Sequence, residues 1–107
     1  MEIIEHVETQ IDHGLTPNAA CAVRVALSAY YSRLNAQLQE ILAVKPARWL
    51  LMRKELKTDK ETDMMWKACE MGIKEMRLTN NLKRIDKINS GLSMFIRNAE
   101  NEARNIH

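Results

Sequence analysis

Apolar residues recur at steps of three and four along the chain, the spacing that gathers them on one side of a helix. Ile3, Val7 and Ile11 make such a face over residues 2–13, and Gly14 is a natural C-terminal stop for it. Thr16-Pro17 then restarts the chain as an N-cap followed by a proline at the first helical position. Ala20, Val23, Leu27, Tyr30 or Tyr31, Leu34, Leu38 and Ile41 carry a second helix from Pro17 to about Val44. Pro46 is expected to end it, since proline has no N–H to donate and its ring clashes with the carbonyl four residues back. The same proline opens a third helix over 46–57, with Trp49, Met52 and Leu56 on one side. Thr58-Asp59-Lys60-Glu61 fits the capping-box pattern, so a fourth helix starts at Asp59.

Beyond Asp59 no proline intervenes. Leu78, Leu82, Ile85, Asn89, Leu92, Ile96, Ala99, Ala103 and Ile106 alternate steps of four and three. Leu82, Asn89 and Ile96 take a-type and Ile85, Leu92 and Ala99 d-type places in this heptad seam. The seam reaches back through Met71, Ala68 and Met64, with Glu75 interrupting it. Unbroken, such a helix would be about 70 Å long at 1.5 Å per residue. Either it breaks, near Asn80-Asn81 or Ser90-Gly91, or a second copy of the chain covers what is left. The expectation is an all-α bundle of about four helices in one domain, 1–107, with a long coiled-coil-like C-terminal helix or helix pair. Leu82, Ile85, Asn89, Leu92, Ile96 and Ala99 are the expected homodimer contacts, Asn89 either fixing register against its symmetry mate or marking a helix break beside Ser90-Gly91.

Composition narrows the class. The 107 residues are 46% hydrophobic and 28% charged, with three glycines and two prolines, which excludes a disordered or low-complexity chain. Cys21 and Cys69 form no C-x-x-C pair and read as reduced thiols of a cytoplasmic protein. The acidic start MEIIEHVETQID has no cationic region of a secretory signal, and no apolar run has membrane-spanning length. The net charge of +2 is split unevenly. Residues 1–44 hold five acids against Arg24 and Arg33, and residues 45–107 hold 14 bases against nine acids.

Candidate chemistry is sparse. His6 and His13 are two helical turns apart, too far for an i, i+4 chelate, and His107 is terminal. No phosphate loop or nucleophile elbow is present. Carboxylate pairs such as Glu5/Glu8 and Glu100/Glu102 sit among mixed charges that would not raise a pKa. No enzyme, cofactor, metal or small-molecule substrate is expected.

Two basic stretches point to an anionic partner. The first, Lys45 to Lys57, includes Arg48, Trp49, Arg53, Lys54 and Lys57. Arg53, Lys57 and Lys60 on one helix face, with Trp49 a turn earlier, would track phosphates beside one stacking ring. The plainer alternative makes Trp49 the apolar anchor of its helix. The second stretch sets Arg77, Asn80, Asn81, Lys83, Arg84 and Lys87 away from the apolar seam, where Arg and Asn match base edges and Lys matches phosphates. Any bundle helix also needs a charged outer face. Met64, Met65, Met71 and Met76 suit either core filling or an adaptable interface.

Trp66 and Gly72, spaced W-x5-G, and the run LKRIDKINSGLSMFIRNAENEARN resemble small helical accessory proteins of tailed phages. Such families include DNA-metabolism accessories and host-defence inhibitors such as anti-CRISPR proteins. The resemblance implies a binding protein acting in a host cytoplasm and carries over no ligand residue. Sequence therefore supports two functions: binding of a nucleic acid or nucleoprotein through basic helix faces, or docking of a protein helix on an apolar Met/Leu seam.

Overall fold

The computed structural model describes residues 3–6, 9, 14 and 16–105, and among them there is no strand. The protein is all-α. Residues 3–6 are helical, and Gly14 has φ +86°, a left-handed conformation that suits the expected stop. Val7 and Ile11 of the first predicted face lie outside the described residues. Three helices follow: α1 (Pro17–Glu55), α2 (Asp59–Ala68) and α3 (Glu70–Asn105). None of the described helices is long and apolar enough to cross a membrane.

α1 begins as the sequence indicates, with the Thr16 hydroxyl accepting from the Ala19 N–H at 3.2 Å. It does not end at Pro46. The helix runs through the proline to Glu55, nine residues further. A proline inside a helix forfeits one backbone hydrogen bond, but the turns beyond it are tied to α2. The Trp49 indole N–H donates to Asp63 at 2.8 Å, and Arg53 pairs with Asp59 at 2.7 Å. These ties hold residues 47–55 helical where the local rule would stop the chain. At the end of α1 the Arg53 guanidinium also donates to the Leu56 carbonyl at 2.7 Å.

α2 is capped as expected. The Thr58 hydroxyl accepts from the Glu61 N–H at 3.1 Å, while the Glu61 carboxylate reaches back to the Lys57 N–H at 3.2 Å, one residue before the usual partner. Thr58→Ala with Glu61→Ala is expected to cost about 1 kcal/mol, read as a lowered urea midpoint at unchanged slope.

The long C-terminal helix exists, but it starts at Glu70, and its break lies at Cys69 rather than near Asn80 or Gly91. Cys69 has extended backbone, and its N–H donates to the carbonyls of Met65 and Trp66. Its own carbonyl accepts from Ile73, and its sulfur accepts from the Gly72 N–H at 3.4 Å. One residue thus ends α2 and caps α3. Met64 and Ala68 therefore belong to a different helix from the 78–99 seam. Asn80-Asn81 and Ser90-Gly91 do not break α3, since neither pair carries a proline and their helical hydrogen bonds are kept.

The chain divides into two compact units, Met1–Tyr31 with Lys83–His107, and Ser32–Leu82. In the first, Ile4, Ala20, Leu27, Ile85 and Leu92 are buried. In the second, Leu34, Ile41, Trp66, Leu78 and Leu82 are buried, together with Thr62, whose hydroxyl donates to the Thr58 carbonyl at 2.9 Å. Ala20, Leu27, Leu34 and Ile41 stand seven residues apart, and Ile85 and Leu92 likewise, the coiled-coil spacing.

Candidate functional site

Lys45 of α1, Trp66 of α2 and Glu75 near the start of α3 meet in the second unit at a polar tie. Glu75, the residue that breaks the heptad seam, accepts from the Trp66 indole at 2.6 Å and from the Lys45 ammonium at 2.9 Å. That ammonium also lies 5.4 Å from the centre of the Trp66 ring. Burial alone would raise the Glu75 pKa. The Trp66 and Lys45 hydrogen bonds and the Lys45 charge outweigh it, and hold the carboxyl below the usual carboxylate range. Both oxygens being occupied, Glu75 is an anchor and not a proton donor.

A depressed folded-state pKa makes a stabilising contribution that is present above the ordinary carboxylate pKa. That contribution is lost as pH falls through the folded-state value. The protein should therefore be more stable than Glu75→Gln at pH 7, with the gap in denaturation midpoint closing in acid. A gap independent of pH would show that the charge on Glu75 contributes nothing.

Beside this tie, two of the predicted nucleic-acid residues make contacts within the chain. Trp49 is half-buried and its indole N–H donates to Asp63; the half-buried Arg53 donates to Asp59 and to the Leu56 carbonyl. The single face of Arg53, Lys57 and Lys60 does not form, because α1 ends at Glu55 and Lys60 lies in the first turn of α2. Arg48, Lys54 and Lys57 are exposed, and among the described residues their side chains make no ion pair. Of the second stretch, Arg77 and Asn80 are exposed and Asn81 is half-buried in one unit, while Lys83, Arg84 and Lys87 are exposed in the other.

The expected self-association residues are buried to different extents within one copy. Leu82, Ile85 and Leu92 are buried within a single copy, and Ile96 and Ala99 are half-buried. Asn89 is half-buried, with its side-chain oxygen enclosed and lacking a hydrogen-bond partner among the described residues.

Large apolar side chains are exposed instead on the outer side of α1. Leu50 is 58% and Leu51 61% exposed, with Val44 beside them at 41%. Leu50, Leu51, Ala47, Arg53 and Lys54 line a shallow depression there. The signal was present in the sequence: Trp49 and Met52 are on the half-buried side, so the adjacent Leu50 and Leu51 fall on the opposite side of α1. Met64 and Met65 on α2 and Met76 on α3 are exposed as well.

Among the described residues no group of three or more His, Cys, Asp or Glu is placed to hold a metal ion. Comparison with protein-family models, with curated proteins and with solved structures finds no match to this chain.

Proposed function

We propose that this protein is a non-enzymatic interaction module that binds another protein through the outer face of α1 in its second unit. The observation that carries this reading is the exposure of Leu50 and Leu51 side by side, with Val44 a turn and a half earlier. Neighbouring exposed leucines on a helix already buried on its other side supply an apolar face that a partner's side chains could cover. The Trp49 and Arg53 contacts weigh in the same direction, since an indole N–H and one base engaged within the chain leave fewer groups open to phosphate.

Nucleic-acid or nucleoprotein binding stays as the second reading, favoured by the exposed Arg48, Lys54 and Lys57, which make no ion pair among the described residues. Salt separates the two, because phosphate contacts release counterions and weaken steeply with ionic strength. Fluorescence anisotropy with duplex DNA and single-stranded RNA is expected to show no saturable binding at physiological salt. Saturable binding that is lost in Arg48→Glu with Lys54→Glu, while the protein remains folded by circular dichroism, would replace the protein-docking reading with the nucleic-acid one.

A further inference from the structure

We infer that the face formed by Val44, Ala47, Leu50 and Leu51 takes an acidic amphipathic helix, an inference that rests on the protein-docking reading above. Three properties of the surface select that occupant. The first is shape. Val44, Ala47 and Leu51 recur at i, i+3 and i+7, as do Ala47, Leu50 and Lys54, so they share one helix face. Such a face packs against the i, i+3, i+4 and i+7 side chains of a second helix. No strand, and so no sheet edge, is available among the described residues to recruit an extended peptide.

The second property is charge. Between Ala43 and Lys57 the chain carries Lys45, Arg48, Arg53, Lys54 and Lys57 against the single acid Glu55. Lys45 and Arg53 are neutralised by Glu75 and Asp59. Lys54, which lines the depression, Arg48 on the same helix and Lys57 just past its end remain exposed with no ion pair among the described residues, a cationic excess beside the apolar face. A partner helix with leucine-like residues on one face and Asp or Glu on its flanks satisfies both zones at once. A nucleic-acid backbone would meet the bases but leave Leu50 and Leu51 in water.

The third property disfavours a second copy. A two-fold contact centred on Leu50 and Leu51 sets each copy's Arg48 near the other's Lys54. Like charges would then face each other at both ends of the contact.

The test uses the full-length chain and a displayed library of amphipathic helical peptides, with a fixed leucine face and flanking positions randomised between acidic, neutral and basic residues. The enriched pool is expected to be acidic, with binding reduced more than tenfold by Leu50→Asp with Leu51→Asp. Both leucines are exposed, so the fold is expected to survive, as circular dichroism would verify. Lys54→Glu should weaken acidic binders several-fold and favour those carrying a compensating base. Enrichment of neutral or basic peptides that still need Leu50 and Leu51 would overturn the acidic assignment and leave the docking reading standing. No enrichment, or binders indifferent to the leucine substitutions, would overturn both. Anionic vesicles or duplex DNA that displaces the selected peptides through Leu50 and Leu51 would overturn the choice of a protein helix.

Discussion

Gly72→Ala is expected to destabilise the protein by about 3 kcal/mol, although alanine is the better helix former. Glycine inside a helix ordinarily costs about 0.5–1 kcal/mol relative to alanine, so the substitution would be favourable on an open surface. At Gly72 a Cβ would fall within the van der Waals shell of the Trp66 carbonyl oxygen and carbon. Those are backbone atoms, and the same carbonyl takes hydrogen bonds from the Cys69 N–H and thiol. It cannot move without disturbing the one-residue junction between α2 and α3. Overpacking against backbone therefore outweighs the propensity gain. Gly91 provides the internal control, since nothing lies within 4 Å of the position a Cβ would take there. Gly91→Ala should leave stability unchanged or raise it, and equal effects at the two glycines in urea denaturation would contradict this account.

The second large effect is expected at Trp66. Its side chain is 3% exposed, and its indole N–H is a donor to Glu75. Trp66→Ala removes a buried aromatic and should cost about 3–5 kcal/mol, the usual range for such cavities. Trp66→Phe keeps most of the packing and deletes the donor, for a smaller loss of about 1–3 kcal/mol. The two substitutions differ in one further readout. In Trp66→Phe the Glu75 pKa should rise, as followed by carboxyl NMR shifts, because one of the groups holding it down is gone. A Phe variant with wild-type stability and an unmoved Glu75 would show that the hydrogen bond is idle.

Much of the fold was legible because its signals are local. Thr16 and Thr58 act as caps through their own hydroxyls, and no distant contact is needed to predict them. The apolar recurrence through Leu27, Leu34 and Ile41, and through Leu82, Ile85 and Leu92, is periodic enough to mark the buried side of two long helices. Pro46 was misleading for the opposite reason. Its local preference is opposed by Trp49 and Arg53 gripping α2, a tertiary effect that no short window contains. The break at Cys69 was missed because neither proline nor glycine stands at the junction itself. Its trace was Gly72 three residues on, together with Trp66, the W-x5-G spacing that local packing now accounts for.

The candidate site was half legible. Arg48, Lys54 and Lys57 were found by charge, and they are exposed as charge implies. Trp49 and Arg53 looked identical to them in sequence, since pairing with Asp63 and Asp59 depends on where α2 folds back. Leu50 and Leu51 drew no reading of their own, because the helix expected after Pro46 was assigned only its Trp49, Met52 and Leu56 side. Once α1 runs unbroken to Glu55, the same two residues stand out as its exposed face.

The most direct test of the central claim is site-specific photocrosslinking in the cells that express the protein. A photoreactive phenylalanine analogue replaces Leu50 in one variant and the exposed Glu102 in another. The account predicts a discrete protein adduct at position 50 that is absent at position 102 and is weakened several-fold when Lys54→Glu is added. Adducts to nucleic acid at position 50, or the same pattern from both positions, would contradict it.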